Sequence, residues 1–249
     1  MTFNPRGPGS GSVYPVVRRL VLFFAYCLGA VLVAATPAHV LIRVPAGTPL
    51  PAELAPLLAK WRQTGQVANV LLLTQGKSEK PEHPAKFESF AVLEFSSEDA
   101  CGAWQKEAAP LLPAGLIVRR ADVLAQGGMA PNDSLHSCFI VNTYTPLVPS
   151  ARFGEYVLGY VKPLYEGMLG TKHLLRYTAY LERGEPGKAD ALNVLEYRDK
   201  AAWTAMGKVK GLIREQVAAA NPSYAKFDKI KDTLRVDGFG TCALYTPLK

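Results

Sequence analysis

A short segment occurs twice in this chain, and the duplication limits its possible folds more than any other feature. Phe90–Trp104 aligns without gaps with Leu192–Met206, so that Glu94 falls on Glu196 at an offset of 102 (196 − 94). Each copy reads as a short apolar strand, then a residue that caps helices well, and then a helix. Because the same elements recur in the same order, the match indicates an internal duplication.

Both halves of the chain fit the order β-α-β-β-α-β around this repeated segment. In the first half, the apolar pattern predicts further strands at 39–44, 67–74 and 116–124 and a helix at 51–61. In the second half, it predicts strands at 138–144, 171–181 and 240–245 and helices at 151–168 and 223–230. We therefore predict an α+β protein of two tandem ferredoxin-like units, at 39–126 and 135–249, joined by a linker at 127–134 that carries Gly, Pro and Asn.

The composition of the strands predicts how the two units pack. The strands are apolar at nearly every position, as in Val70–Leu73 and Ala91–Leu93, and do not alternate between apolar and polar residues. Right-handed crossovers place both helices of such a unit on one face of its sheet, so the other face is apolar and needs a cover. The equivalent face of the sister unit can provide that cover. The sequence therefore predicts a pseudo-dimeric α+β barrel with a lumen between the two sheets.

The first 38 residues differ from the rest of the chain. Arg18 and Arg19 precede an unbroken apolar run from Leu20 to Ala35, which is shorter than the ~20 residues of a membrane-spanning helix and ends in small residues. These features predict a signal peptide at 1–38, and hence a periplasmic or secreted protein. The segment before the run is long for a signal peptide. An uncleaved anchor, which would hold the protein on the export side of the membrane, is the alternative.

Charge and motif content argue against several classes of function. The net charge of +7 falls to +4 when residues 1–38 are removed, because that segment carries three arginines and no acid (7 − 3). No cluster of basic and aromatic residues follows, so we expect no nucleic-acid partner. The four histidines show no metal-ligand spacing, and neither a phosphate-binding loop nor a Ser/His/Asp order is present. We therefore expect no metal site.

The repeated segment also carries a family resemblance. The pattern Val92–Trp104, which follows a strand–helix–strand and precedes a strand with Arg119 and Arg120, resembles the dimeric α/β-barrel superfamily. Members usually pair two identical chains, whereas this chain would supply both units itself. Small cofactor-independent monooxygenases belong to the superfamily, and so do haem proteins of tandem units related to chlorite dismutases and dye-decolourising peroxidases. The resemblance covers both units.

The resemblance implies a function by analogy of fold. The leading expectation is an exported barrel that binds a small hydrophobic molecule, as a cofactor-independent oxygenase or isomerase for a hydrophobic or aromatic compound. The alternatives are a haem-dependent tandem-barrel enzyme and a non-enzymatic scaffold or assembly protein, whose lumen would be filled by side chains. A homo-oligomer is compatible with each of them. A membrane partner is expected only if the N-terminal segment stays uncleaved.

Five residues are the candidates for a site in the lumen. Glu94 and Glu196 are each the penultimate residue of a predicted strand; such a carboxylate is either buried with a raised pKa that suits proton transfer, or it meets a basic side chain at the strand end. His173 and Tyr177 share one face of the predicted strand 171–181, so both could line the lumen. Tyr156 lies on the apolar stripe of its helix, where it would pack in the core or contact a flat ligand.

We assign His173 and Glu196 to catalysis, and Tyr156, Tyr177 and Glu94 to ligand binding. His173 is also the candidate haem ligand. The alternative for His173 is a partly exposed side chain near the start of its strand.

Three cysteines remain after the predicted signal peptide. Cys138 opens the first strand of the second unit and Cys242 lies in its last strand. First and last strands of a βαββαβ sheet are antiparallel neighbours, so the two thiols can lie opposite each other, and an oxidising compartment permits a bond between them. We predict a Cys138–Cys242 disulfide, and we expect Cys101 to be a buried small hydrophobe.

Overall fold

The structure is a computed structural model and describes residues 36–131 and 134–248. All but the last three residues of the predicted signal peptide or anchor lie outside the described residues, as do residues 132 and 133 of the predicted linker. Among the described residues, no helix combines the length and the apolar character needed to span a membrane.

Both halves contain their elements in the predicted order. The first half comprises β1 (Ala38–Val44), α1 (Leu54–Gln63), β2 (Asn69–Ser78), β3 (Ser89–Phe95), α2 (Glu98–Glu107) and β4 (Ile117–Gly128). The second half comprises β5 (Cys138–Pro146), α3 (Ser150–Tyr156), α4 (Lys162–Leu169), β6 (Leu174–Glu182), β7 (Ala191–Tyr197), α5 (Lys200–Ala220), α6 (Pro222–Leu234) and β8 (Arg235–Tyr245). In both copies of the repeat, the predicted capping residue accepts a hydrogen bond from the first turn of the helix: Ser97 caps α2, and Asp199 caps α5.

Some predicted bounds were wrong, for local reasons. The helix predicted at 151–168 is interrupted by a π-helical turn at Val157–Val161. The strand predicted from Thr171 begins only at Leu174, because the backbone N–H groups of Thr171 and Lys172 bind to the carbonyls that end α4. The helix predicted at 223–230 extends to residue 234, and β8 follows it at once. The linker begins late, since β4 continues to residue 128.

The described strands form a closed barrel in the order β1-β3-β2-β8-β5-β7-β6-β4, and all neighbouring strands are antiparallel. Each half contributes four adjacent strands with its first and last strand side by side, as predicted. The halves join at two seams, β2 with β8 and β4 with β6. The predicted α+β barrel is therefore confirmed.

In the part of the chain that the structure describes, three apolar clusters hold this barrel together. One lies between the first sheet and its helices, where Trp61 and Trp104 meet edge to face. A second lies between the second sheet and its helices. The third fills part of the lumen between the two sheets and consists of Leu41, Leu73, Phe87, Phe90, Val92, Ala121, Phe139, Val141, Tyr180, Leu192, Val194 and Ala243. The inner faces of the two sheets thus bury each other, as the composition of the strands predicted.

Two glycines allow β4 to run close against β6 at one seam. Gly128 has a φ of +81°, and a Cβ atom there would lie 2.1 Å from the carbonyl oxygen of Leu175. A Cβ atom at Gly127 would lie 2.7 Å from the ring of Tyr177. Only glycine fits this backbone at Gly128, because any side chain would meet both the strained φ and the facing strand.

Candidate functional site

A cavity of about 440 Å³ occupies the part of the lumen that the apolar cluster leaves open. Its volume lies within the ~300–1,000 Å³ range of small-molecule sites in proteins. Its apolar wall consists of Leu71, Val92, Val123, Phe139, Tyr180 and Val194. Its polar groups are His39, Asn69, Glu94, Gln126, Arg176, Thr178 and Glu196, with Glu98, Asp122 and Arg183 toward the exposed mouth. An apolar wall with a few converging polar groups is typical of a binding site.

The two repeated glutamates sit at equivalent places in this cavity. Glu94 is the penultimate residue of β3, and Glu196 is the penultimate residue of β7. On one side Glu94 lies opposite His39 of β1, and on the other side it lies opposite Asn69 of β2. Side chains at opposed positions of antiparallel strands are direct neighbours on the same face.

Different residues flank the second glutamate. Phe139 of β5 and Arg176 of β6 lie opposite Glu196, at the positions that His39 and Asn69 hold in the first half. The duplication has therefore kept the two carboxylates and changed what surrounds each of them. One carboxylate is beside a histidine and an amide, and the other is beside a phenyl ring and a guanidinium.

Glu196 is neutralised by an ion pair. Its side chain is 1 % exposed, and its Oε2 atom accepts a charge-assisted hydrogen bond from Nε of Arg176. The Arg176 side chain keeps 31 % of its surface exposed. Its Nη groups make no hydrogen bond to the described residues, so they remain available to an anionic group of a ligand.

Glu94 has no such partner. Within 36–131 and 134–248, its carboxylate makes no ion pair and no side-chain hydrogen bond. The neighbouring His39 is half-buried, and its Nδ1 atom is buried without a hydrogen-bond partner among those residues. Burial lowers the pKa of His39 below its usual value, although the negative charges of Glu94 and Asp122 oppose the shift. His39 is therefore neutral at pH 7 and can accept a proton.

Tyr180 adds a hydroxyl donor to the apolar wall. Its ring centroid lies 5.6 Å from that of His39, with the planes tilted by 59°. Burial raises the pKa of Tyr180 to about 12, and the nearby charge of Glu94 acts in the same direction. The phenol therefore stays protonated across the physiological range.

The structure separates the five predicted site residues. Glu94 and Glu196 both line the cavity. Their location agrees with the roles proposed for them, and the roles themselves stay predictions. Tyr156 and Tyr177 lie in the core between the second sheet and its helices, and His173 lies in the turn before β6. None of these last three lines the cavity.

The residues of β6 are grouped by face as predicted, but the face that lines the cavity is the other one. Period two then places Arg176, Thr178 and Tyr180 toward the lumen, whereas Tyr177 packs against Tyr165 of α4 at a ring distance of 5.2 Å. Tyrosine suits either face, since its ring is apolar and its hydroxyl polar, so the residue types alone did not identify the inner face.

Sequence reasoning missed His39, Asn69, Arg176 and Tyr180. His39 was missed because a histidine at the start of a predicted strand is expected to be exposed to solvent. The signal for His39 was nevertheless available in the predicted topology. If the first and third strands of the unit are antiparallel neighbours, the first residues of one lie beside the last residues of the other, which brings His39 next to Glu94.

The residues do not fit haem held by His173 in this cavity, because His173 does not line it. The histidine of the cavity is His39. Among the described residues, no group of three or more His, Cys, Asp or Glu side chains could hold a metal ion.

Cys138 and Cys242 lie on neighbouring strands, as predicted, with their Sγ atoms 3.5 Å apart. Both are free thiols in the structure, so the disulfide stays a prediction. Cys101 is fully buried on α2.

Comparison with known proteins identifies the fold. No family model matches the chain, and no curated protein matches its sequence. A candidate monooxygenase from Lactobacillus acidophilus NCFM superposes with a TM-score of 0.50 at 10 % identity, covering 85 % of this chain and 100 % of that one. An anthrone oxidase-like protein superposes with a TM-score of 0.50 at 10 % identity, covering 85 % of this chain and 91 % of that one. These similarities show that the chain has the dimeric α/β-barrel fold, with both units in one polypeptide.

Proposed function

We propose that this protein binds a flat, hydrophobic aromatic molecule in the lumen cavity and removes a proton from it, as a cofactor-independent oxygenase or isomerase. One observation carries the proposal. Glu94 has no cationic partner among the described residues and stands beside neutral His39 in an apolar cavity, whereas the equivalent Glu196 is neutralised by Arg176.

The cavity suits an aromatic ligand with one or two polar groups. Phe139 and Tyr180 present rings, and four aliphatic strand residues complete the wall. Aromatic rings pack favourably against such surfaces in offset or edge-to-face arrangements. Asn69, Gln126 and Thr178 supply a small number of hydrogen-bonding groups that can fix the orientation of the ligand.

The polar groups divide into a proton acceptor and a stabiliser of negative charge. Glu94 and His39 can accept a proton from an acidic C–H or O–H group of the ligand. The free Nη groups of Arg176 and the hydroxyl of Tyr180 can donate hydrogen bonds to the oxygen on which negative charge then develops. A deprotonated aromatic ketone is electron-rich enough to react with O₂ directly, and its reprotonation at another carbon would be an isomerisation.

Anthrone is the first compound to test, because one protein of the same fold is anthrone oxidase-like. The reaction converts anthrone and O₂ into anthraquinone and water: one oxygen atom enters the product, and the other leaves with the two hydrogens of the reacting carbon. Anthrone is planar, and its deprotonated form carries charge on a single oxygen. Its rings suit the apolar wall, and its oxygen suits the hydrogen-bond donors of Arg176 and Tyr180.

The experiment measures anthraquinone formation above the autoxidation rate without protein. Thr178→Trp, which fills the cavity, should reduce the rate at least tenfold, because the ligand loses its space. Thr204→Trp, the same change at an exposed position of α5, should leave the rate unchanged. The proposal would be wrong if neither anthrone nor anthraquinone bound, or if both variants behaved like the unmodified protein.

The open cavity also favours a ligand-binding protein over the non-enzymatic scaffold, whose lumen would be filled. We further propose that the protein acts outside the cytoplasm, on the basis of the predicted signal peptide at 1–38. N-terminal sequencing of the protein recovered from cells tests this: an intact Met1 on soluble cytoplasmic protein would contradict it.

A further inference from the structure

A second cavity, of about 340 Å³, lies away from the lumen at the seam between β2 and β8. Two thiols line it, those of Cys138 on β5 and Cys242 on β8. Their strands are direct neighbours, and the Sγ atoms are 3.5 Å apart. Both side chains belong to the outer face of the sheet, where they pack at the edge of the second helix–sheet core.

The two thiols differ in access and in charge. Cys138 is 4 % exposed, whereas Cys242 keeps more of its surface open. The hydrogen bond from the Cys138 thiol lowers the pKa of Cys242 to about 7, and Lys200 and Lys77 add positive charge that acts in the same direction. Burial and the carboxylate of Glu79 oppose this shift. The same hydrogen bond, together with burial, raises the pKa of Cys138.

In this arrangement the two cysteines have different roles in thiol–disulfide exchange: one attacks the incoming disulfide, and the other resolves the mixed disulfide. The attacking thiol must be ionised and accessible, and it reacts best when its pKa is close to the ambient pH. Cys242 meets these requirements. The resolving thiol needs only to be within reach of the sulfur that it attacks, and Cys138 already touches it.

We propose that Cys138 and Cys242 form a redox-active dithiol that reduces low-molecular-weight disulfides entering the seam cavity. The Cys242 thiolate attacks one sulfur of the incoming disulfide, which breaks its S–S bond and releases one thiolate. Cys138 then gives its proton to the released thiolate, attacks the Cys242 sulfur, and displaces the second thiolate, which takes up the proton that Cys242 lost to solvent. The protein pair is oxidised to a disulfide, and the incoming disulfide is reduced to two thiols.

The surroundings distinguish this site from a purely structural disulfide. The pair borders an open cavity that also carries two lysines and His136, rather than a closed apolar core. Exposed disulfides in electropositive surroundings are the reducible ones, whereas structural disulfides resist reduction. The oxidised form of this site is the same bond that the strand pairing predicts.

The experiment uses the full chain, reduced with dithiothreitol and desalted, and the probe 5,5′-dithiobis-(2-nitrobenzoic acid). The Cys138→Ser/Cys242→Ser double variant reports the reaction of Cys27 and Cys101 and serves as the baseline. Above this baseline, the unmodified protein should release two equivalents of thionitrobenzoate and retain no adduct by mass spectrometry. Dithiothreitol should then reduce the new disulfide without unfolding the protein.

The single variants test the division of roles. Cys138→Ser should release one equivalent and keep one adduct, because no thiol remains to displace it. Cys242→Ser should react at least tenfold more slowly than Cys138→Ser, because Cys138 is buried. Two retained adducts on the unmodified protein would overturn the proposal, as would equal rates for the two single variants. A bond that resists dithiothreitol until the protein unfolds would show a structural disulfide only.

Discussion

Glu94→Gln is expected to lower the rate of enzymatic anthraquinone formation by a factor of about 10² to 10⁴, the usual contribution of a general base. Glutamine has the size and shape of glutamate, but its amide cannot accept the substrate proton. The midpoint of thermal unfolding should change little, since the Glu94 carboxylate has no ion pair among the described residues that the substitution could break. The measurement is the initial rate at saturating anthrone together with the unfolding midpoint.

The matched control is Glu107→Gln on α2, which makes the same chemical change on the exposed surface. It should leave both the rate and the midpoint unchanged. If Glu94→Gln kept more than half of the rate, Glu94 would not be the proton acceptor. A fall in rate for His39→Ala under the same conditions would then assign that role to His39.

Phe90→Ala is expected to lower the free energy of unfolding by about 3–5 kcal/mol, the cost of truncating a buried phenylalanine and leaving a cavity. Phe90 is fully buried in the apolar cluster between the two sheets, and its ring lies 5.5 Å from that of Phe87. Its partners in the cluster come from both halves of the chain. The substitution therefore weakens the contact that closes the barrel. Urea-induced unfolding followed by circular dichroism measures the change.

Phe239→Ala is the matched control, because Phe239 on β8 does not belong to the apolar cluster between the two sheets. Its ring stacks on His83 and lies under the ammonium group of Lys80. Loss of the Phe239 ring should lower the free energy of unfolding by about 1 kcal/mol. Equal and small effects of the two substitutions would mean that the space between the sheets is not a packed core.

The sequence was informative about the fold because the duplicated segment fixed both the order of elements and the pairing of strands. A β-α-β-β-α-β unit with both helices on one side leaves the other face of its sheet apolar and uncovered. A second copy of the unit in the same chain can cover that face. The ends of elements were less predictable. The turn after α4 and the register shift at the start of β6 arise from backbone hydrogen bonds that the apolar pattern does not encode.

The candidate site was predictable in part, and for a related reason. Glu94 and Glu196 stand out because charged residues near the end of otherwise apolar strands recur at the same place in both copies. Their neighbours come from other strands, so His39 and Arg176 become visible only when strand pairing is known. Tyr177 failed as a prediction because periodicity groups residues by face but does not say which face is inside.

A cross-link across the seam between β4 and β6 tests whether the two halves close one barrel around the cavity. Gln126 and Thr178 lie opposite each other there and both line the cavity, so Gln126→Cys/Thr178→Cys places two thiols on the same face at a spacing that suits a disulfide. The control variant is Gln126→Cys/Ala179→Cys, in which the cysteine at position 179 points to the helix-covered face of the sheet, away from the cavity. If the halves close one barrel, mild oxidation of the folded protein should link peptides 126 and 178 in the first variant, and peptide mapping should find no such link in the control. Folded protein in which 126 and 178 stay unlinked would contradict the closed barrel and the cavity inside it.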